Sequence, residues 1–308
     1  MLSAVNEPET LVPLRSLSES AASAAFRGKP HAFIDVGHSR LAYWRLGRGP
    51  DVVFVHGWPL HSATFRHIAL PLSRQFTCHF FDLPGTGQTE WGPASPIDLG
   101  SHASTLRRVI GELGLERYAM VAHDSGAVVA RLAAADDPRV AGLVIGNSEI
   151  PGYRPWLVEL YAATAKLPGG VAVLGQLMRL SFIRRSFLGY KGCFANIDYL
   201  DGEFHELFVQ PILHSKQTAF GQMGLLKNLD WRVVDGLGDA HRRIRAPVRL
   251  VWGALDPFFP VARARKMLPG FPGGAELVEI PGAKLFAHED HPEAFVAASV
   301  PFLTSCLA

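Results

Sequence analysis

Cysteine is scarce in this sequence. The 308 residues contain three, Cys78, Cys193 and Cys306, and their spacing matches no metal-binding or redox motif. We therefore expect reduced structural thiols in a cytoplasmic protein without a bound metal, rather than a disulfide framework. An excess of charge is also missing, because 30 lysines and arginines stand against 28 aspartates and glutamates. Without a long basic run, the sequence lacks the charge pattern of a nucleic-acid-binding protein and favours a small-molecule substrate.

Long hydrophobic runs are missing too. The most apolar segments, at residues 52–55, 119–122 and 143–145, are far shorter than the roughly 20 residues that cross a bilayer. We therefore expect no association with a membrane. Residues 1–28 lack the basic and apolar regions of a signal peptide, and we expect them to form a mobile or surface-wrapping N-terminal arm. These patterns leave the oligomeric state open, a homodimer included.

Alternating strand and helix patterns are what the sequence does contain. Apolar residues make up 48% of the chain, enough for a sizeable core. After a hairpin pattern at residues 33–36 and 41–45, strand patterns cover 51–56, 76–82, 118–123, 140–145, 248–252 and 275–280, and helix patterns cover 62–74, 99–113, 127–135, 261–267 and 292–303. Such alternation predicts an α/β fold with a mostly parallel sheet flanked by helices.

The alternation stops between residues 151 and 238. This stretch is rich in helix formers and aromatic residues and has no strand-like periodicity. We interpret it as a helical lid inserted into one core domain, which comprises residues 29–150 and 239–308. In an open α/β sheet the active region lies beyond the carboxyl ends of the strands, so the residues that follow each predicted strand are the candidates for chemistry.

Four strand ends carry polar residues. They are the segments 56–59 (His-Gly-Trp-Pro) and 122–126 (Ala-His-Asp-Ser-Gly), Asp256, and the loop 281–291. This order of motifs resembles the α/β-hydrolase superfamily, and within it the epoxide hydrolase and haloalkane dehalogenase branch, over roughly residues 30–305. The resemblance implies an α/β-hydrolase fold with a nucleophile at the tight turn after the central strand.

The turn after the central strand favours an aspartate as that nucleophile. A nucleophile elbow needs small residues two positions to either side, and centring it on Asp124 places Ala122 and Gly126 there. Centring it on Ser125 instead puts His123 at one of those positions. A carboxylate here can attack an sp³ carbon, opening an epoxide or expelling a halide, to form an ester that water then cleaves. The alternative is an aspartate that only caps the following helix.

The resemblance also implies roles for the neighbouring motifs. The backbone N–H groups of Trp58 and Ser125 would form the oxyanion site around the developing negative charge. Asp256 follows a strand where the family keeps the acid that orients the catalytic histidine, and Glu149 is the reserve candidate for that acid. Dehalogenases of the branch follow their aspartate with tryptophan or arginine. The serine at position 125 therefore weakens both dehalogenase interpretations.

The sequence departs from the family pattern at the histidine. Leu285 stands seven residues before the proline that opens the final helix, where the family places its histidine, and Lys284 stands where a glycine is expected. His288, three residues further on, could replace the missing base, and its alternative is a surface or helix-capping histidine. His291 and His123 are more distant candidates. Without a base an ester would persist, which suits a reaction with no hydrolytic half.

Aromatic residues of the predicted lid are candidates for substrate binding. Lid tyrosines protonate the epoxide oxygen in epoxide hydrolases, and packing is the alternative role for each of them. The candidates are Tyr153, Tyr161, Tyr190 and Trp156. The leading function is an epoxide-hydrolase-like enzyme acting on an apolar small molecule without a cofactor. The alternatives are a cofactor-independent lyase, isomerase or cyclase on the same scaffold, and a catalytically inert binding protein.

Overall fold

A single twisted sheet runs through the part of the chain that the computed structural model describes, residues 19–308, with side chains from residue 23 onward. Its nine strands are β1 (Ala32–Asp35), β2 (Ser39–Leu46), β3 (Asp51–Val55), β4 (Thr77–Phe81), β5 (Glu90–Trp91), β6 (Tyr118–Ala122), β7 (Val140–Gly146), β8 (Val248–Gly253) and β9 (Ala275–Ile280). The strands follow the order β1-β2-β4-β3-β6-β7-β8-β9, and β5 pairs with β2. Strands β4 to β9 along this order are parallel, which confirms the predicted mostly parallel α/β sheet.

Helices cover both faces of the sheet. The α-helices are α1 (Glu19–Arg27), α2 (Arg66–Ser73), α3 (Leu99–Glu112), α4 (Asp124–Ala134), α5 (Trp156–Lys166), α6 (Gly170–Arg179), α7 (Ser181–Arg184), α8 (Gln210–His214), α9 (Lys216–Lys227), α10 (Trp231–Asp235), α11 (Leu237–Arg243), α12 (Val261–Ala264), α13 (Ala287–Asp290) and α14 (Pro292–Leu307). Because helices pack on both sides, β4 and β6 are buried along their whole length, and the sequence of β6 is an apolar run without alternation. No helix among these described residues is long and apolar enough to cross a membrane.

Part of the predicted N-terminal arm is a helix packed on the sheet. Phe26 of α1 is buried, and its ring contacts those of Trp44 and Phe80 at centroid distances of 5.7 and 5.2 Å. The indole N–H of Trp44 donates to the carbonyl oxygen of Ala25 at 3.1 Å. Residues 1–18 of the predicted arm lie outside the described residues.

The helical insert, residues 151–238, separates β7 from β8 in the chain. Its helices build a small apolar cluster of their own, in which Leu174, Ile212, Met223 and Leu226 pack together. Helix α11 crosses the predicted boundary at residue 238 and returns the chain to the core. The register of the parallel strands pairs Val55 with Ala122, so the loops that follow β3 and β6 emerge side by side beneath the insert.

Candidate active site

The turn between β6 and α4 has the geometry of a strained elbow. Asp124 has a φ of 49°, in the left-handed region that aspartate tolerates better than most non-glycine residues. The turn also lies against the segment that follows β3. A Cβ atom on Gly126 would lie 2.2 Å from the carbonyl oxygen of His56, and one on Gly57 would lie 2.6 Å from the Cβ of Asp124. The close approach of the two loops therefore requires glycine at both positions.

Two backbone amides hold the carboxylate of Asp124. The N–H of Trp58 donates to its Oδ2 at 2.8 Å, and the N–H of Ser125 donates to the same carboxylate. Burial raises the pKa of Asp124 well above its ordinary value, the charge of Glu149 raises it further, and the two amides act in the opposite direction. The structure thus brings both predicted oxyanion residues, Trp58 and Ser125, to the predicted nucleophile.

Asp124 lies at the floor of a cavity of about 110 Å³ between the core and the helical insert. The polar groups of the floor are Asp124, Ser125 and Glu149, and Trp58 lies beside them. Apolar side chains form most of the wall: Leu99, Leu157, Leu174, Met178, Val209, Ile212, Met223, Leu226, Phe258, Phe259, Leu285 and Phe286. Such a wall suits an apolar ligand and strengthens electrostatic interactions at the floor.

Two of the four predicted substrate-binding residues line this cavity. Tyr161 and Tyr190 do so, and the hydroxyl of Tyr161 donates to the carbonyl oxygen of Leu188. Tyr153 lies elsewhere, with the guanidinium of Arg263 4.3 Å from its ring centroid. Trp156 is 59% exposed, on the outer surface of the insert. The structure therefore does not bring Tyr153 and Trp156 to the cavity.

Asp256 is held by donors from its own loop and from the end of β7. Its Oδ1 accepts from the N–H groups of Phe258 and Phe259 at 2.7 and 3.1 Å, and its Oδ2 accepts from the side-chain amide of Asn147 at 2.7 Å. Burial raises the pKa of Asp256 to about 7, although these three hydrogen bonds lower it. These contacts occupy both carboxylate oxygens, and a histidine is not among them.

The structure buries His288 behind the cavity wall rather than on it. Its Nε2 lies 2.7 Å from the hydroxyl of Thr64, and its ring contacts that of His123 at a centroid distance of 4.0 Å. Burial lowers the pKa of His288 to about 4. The cavity wall nearby is formed by Leu285 and Phe286. The structure therefore does not bring His288 together with Asp124 in the cavity.

The other basic candidates of this region have partners elsewhere. The ammonium group of Lys284 donates to the carbonyl oxygen of Lys191 at 2.9 Å, and the imidazole Nδ1 of His291 lies 2.8 Å from Asp290. The Nε2 of His123 accepts a hydrogen bond from the N–H of Gly57 at 3.3 Å, so this ring stabilises residues 56–59, the segment that follows β3. Within residues 19–308, no cluster of three or more histidine, cysteine or acidic side chains is placed to hold a metal ion.

A polar cluster beneath the cavity floor was not predicted from the sequence. The guanidinium of Arg131, buried within α4, donates to the hydroxyl of Ser148 at 2.7 Å and to the carbonyl oxygen of Glu149 at 3.0 Å. Ser148 in turn lies within hydrogen-bond distance of Asp124 and Glu149. One signal for this cluster was visible in the sequence: Arg131 is the single charged residue in an otherwise small and apolar helix pattern.

Known proteins resemble the chain over most of its length. The sequence profile described as "Alpha/beta hydrolase family" matches residues 52–298. Haloalkane dehalogenase 2 of Mycobacterium bovis is 25% identical over 280 residues, which cover 87% of this chain and 93% of that protein. The pimeloyl-(acyl-carrier protein) methyl ester esterase of Chromobacterium violaceum is 28% identical over 260 residues, covering 82% and 94%.

A solved structure gives the same fold. The epoxide hydrolase CorEH, solved without ligand, superposes with a TM-score of 0.72 and covers 89% of this chain and 98% of its own. Its sequence is 20% identical to this one. At that identity the likeness establishes the shared fold and leaves the reaction to be argued from the site.

Proposed function

Because the chain belongs to the alpha/beta hydrolase family, we propose that it is an epoxide-hydrolase-like enzyme in which Asp124 attacks an apolar small molecule without a cofactor. The family hosts several reactions, since the relatives above are named as a dehalogenase, an esterase and an epoxide hydrolase. The choice among them therefore rests on the site. The observation that carries it is the carboxylate of Asp124, held by two backbone amides on the floor of an apolar cavity.

A carboxylate in this setting is suited to displacement at an sp³ carbon. Its hydrogen bonds to Trp58 and Ser125 fix the orientation of the carboxyl group and leave it facing the cavity. Once an ester has formed, the same two amides can stabilise the negative charge that develops on its carbonyl oxygen when water attacks. Removing one such donor typically costs on the order of 10² to 10³ in rate.

The helical insert supplies the upper wall of the cavity, and we assign it the role of a lid. Tyr161 and Tyr190 are the hydroxyl-bearing side chains of that wall, so they are the residues to test for contact with the oxygen of a substrate. The hydroxyl of Tyr161 already donates to the carbonyl oxygen of Leu188. Tyr190 is therefore the stronger candidate of the two.

A non-hydrolytic reaction is the second candidate, and the composition of the wall favours it. Among the described residues that line the cavity there is no histidine, and Leu285 stands where the resemblance to the family predicts one. In this alternative Asp124 would act as an acid or base in an elimination, isomerisation or cyclisation within a dry cavity. A binding protein without catalytic activity is the third candidate.

Exposure to a panel of apolar epoxides separates the three candidates. Diol formation, together with a transient ester on Asp124 detected by intact-protein mass, supports the proposed hydrolase. A lasting adduct supports Asp124 as a nucleophile whose ester the protein does not hydrolyse. The absence of both diol and adduct would contradict the proposal and favour the other two candidates. Ser125→Ala serves as the matched control at the elbow, because it keeps the backbone N–H and removes only the alternative nucleophile.

A further inference from the structure

Two carboxyl groups share the floor of the cavity, and the mechanism above uses only one of them. Glu149 follows β7 and lines the same cavity as Asp124, and its residue is 8% exposed. The two groups are close enough to interact electrostatically, so a negative charge on one raises the pKa of the other. A buried acid in the same cavity as the reacting group is a candidate for proton transfer.

The hydroxyl of Ser148 reports on the protonation of Glu149. Its Oγ lies 2.7 Å from a guanidinium nitrogen of Arg131, 2.9 Å from the carbonyl oxygen of Asp124 and 3.0 Å from Oε2 of Glu149. Arginine can only donate and a carbonyl oxygen can only accept, so when the single hydroxyl proton of Ser148 goes to Asp124, the contact with Glu149 is a hydrogen bond only if Glu149 carries a proton and donates it to Ser148.

The charges around the pair favour the same arrangement. Asp124, Glu149 and Asp256 bring three carboxyl groups to this region, and Arg131 brings one positive charge. Burial raises the pKa of Glu149, while its own backbone N–H and the charge of Arg131 lower it. Asp124 receives two backbone N–H groups, one more than Glu149, and it lies at the amino end of α4, where a negative charge is stabilised. A single charge shared by the pair is therefore better placed on Asp124.

We propose that Glu149 is the acid and base of this cavity, protonated while Asp124 is ionised, in place of the missing histidine. This inference rests on the proposed role of Asp124 as the nucleophile. It gives Glu149 a direct part in catalysis, which differs from the predicted reserve role of orienting a histidine. Asp256, whose oxygens are occupied by three N–H donors, keeps a structural role.

In the first half-reaction an oxygen of Asp124 attacks one carbon of the epoxide. The bond between that carbon and the ring oxygen breaks, and its electron pair goes to the oxygen. That oxygen takes the proton of Glu149 and becomes a hydroxyl group. The products are a hydroxyalkyl ester of Asp124 and the carboxylate of Glu149.

In the second half-reaction water gives a proton to the carboxylate of Glu149 as its oxygen adds to the ester carbonyl. The negative charge that develops on the carbonyl oxygen is held by the amides of Trp58 and Ser125. The departing alkoxide then takes the hydroxyl proton of the tetrahedral intermediate by way of Glu149. The diol leaves, Asp124 is again a carboxylate, and Glu149 is again protonated.

The proton can be located without any substrate. Infrared spectra at neutral pH reveal a buried protonated carboxyl group by its C=O stretching band, and difference spectra between variants assign it. We expect a band that Glu149→Gln removes and Asp124→Asn retains. A band that Asp124→Asn removes and Glu149→Gln retains would place the proton on the wrong partner. That result, or the absence of any band that Glu149→Gln removes, overturns the inference.

Two probes then separate the role of Glu149 from that of Asp124. A primary alkyl bromide releases bromide as a stable anion, so forming the ester from it needs no proton. Opening a terminal epoxide does need one. In Glu149→Gln we expect alkylation by the bromide at an unchanged rate, and ring opening slower by about 10²- to 10⁴-fold. The bromide-derived ester should also persist in this variant and be cleared in the unmodified protein.

The controls make each failure distinct. Glu159→Gln, the same change at an exposed glutamate of α5, should behave as the unmodified protein does, and Glu149→Asp should recover part of the ring-opening rate. Equal loss of both alkylation reactions in Glu149→Gln would indicate a structural role and overturn the inference. If neither the bromide nor the epoxide alkylates the protein without a substitution, the proposed function of Asp124 fails, and the acid–base role of Glu149 fails with it. The infrared band reports the position of the proton in either case.

Discussion

At the scale of single residues, Asp124 combines two unfavourable features. A non-glycine residue in the left-handed region costs on the order of 1 kcal/mol, and a buried carboxylate is costly unless it is hydrogen-bonded. The amides of Trp58 and Ser125 offset part of this cost. Strain and burial together at one residue that faces a cavity indicate a position kept for chemistry rather than for stability.

Asp124→Asn is the first test at this scale. Asparagine tolerates the same backbone conformation and keeps the shape of the side chain, but its amide is a very poor nucleophile. We expect turnover of an epoxide substrate to fall by on the order of 10⁴-fold or more, with the thermal midpoint unchanged or raised. Steady-state rates and a thermal melt measure the two effects. Activity close to that of the unmodified protein would exclude Asp124 as the nucleophile.

Leu285→His tests whether the missing histidine limits ester cleavage. In a Glu149→Gln background we expect the persistent ester to be cleared faster once an imidazole stands on the cavity wall, because it can act as the base for water. The polar ring should lower stability by about 1 to 3 kcal/mol. The lifetime of the adduct, followed by intact-protein mass, is the readout. Leu285→Phe is the matched control, and equal lifetimes in the two variants would contradict the expectation.

At the scale of elements, the loops after β3 and β6 form one unit. The register that pairs Val55 with Ala122 places these loops side by side, and glycine at positions 57 and 126 lets them approach. The amide of Trp58 can reach the carboxylate of Asp124 only because of this approach. The arrangement of amides around Asp124 is thus a property of two neighbouring turns rather than of either one alone.

A pair of glycine substitutions tests that coupling. A Cβ on Gly126 would lie 2.2 Å from a backbone oxygen, so Gly126→Ala should destabilise the protein by about 2 to 3 kcal/mol and abolish activity. Gly111, in α3, has open space around it, and Gly111→Ala should stabilise by about 0.5 to 1 kcal/mol. Chemical denaturation gives both values. Equal effects of the two substitutions would show that the elbow is not tightly packed.

The elements were largely predictable from the sequence because their signals are local. The apolar run of β6, the small residues around Asp124 and the proline that opens α14 each mark a structure by themselves. The side of the cavity wall on which His288 lies was not predictable, since it depends on contacts between distant segments. The N–H of Phe286 donates to the carbonyl oxygen of Cys193 in the insert, and His288 bonds to Thr64.

At the scale of the whole molecule, an ion-pair network joins the core to the insert. The guanidinium of Arg66 lies 2.9 Å from buried Glu289 and 2.7 Å from Glu203, and the hydroxyl of Tyr199 also donates to Glu289. Burial alone would raise the pKa of Glu289, but Arg66 outweighs it and the pKa is lowered. This network holds the insert over the cavity and needs Glu289 ionised.

The buried carboxyl groups predict how stability depends on pH. The raised pKa values of Asp124, Glu149 and Asp256 mean that the folded state binds their protons more tightly than the unfolded state does, so stability falls as the pH rises. For Asp256 this loss occurs between the ordinary pKa of an aspartate and a pH of about 7, and it lowers the free energy of unfolding by at most about 4 kcal/mol. Glu289, with its lowered pKa, contributes stability that is lost as the pH falls below the ordinary pKa of a glutamate.

Histidines buried in the neutral form, such as His288, act in the opposite direction and lower stability below their ordinary pKa of about 6.5, so we expect the thermal midpoint to be highest near about pH 6.5 and to fall towards about pH 8. Melts across this range, followed by circular dichroism, measure it. Glu149→Gln lacks one of the groups responsible, so its midpoint should fall less over the same range. A midpoint that rises steadily to about pH 8, or a variant that shows the full decline, would contradict the assignment of these buried protons.

A single turnover in oxygen-18 water tests the central claim most directly. If Asp124 forms an ester with the substrate, water attacks the carbonyl carbon of that ester, and its oxygen first enters the carboxyl group of Asp124. With enzyme in excess over an apolar epoxide, we expect an unlabelled diol and one heavy oxygen in the peptide that contains Asp124. A labelled diol from the first turnover, with Asp124 unlabelled, would mean that water attacks the substrate directly and would contradict the account.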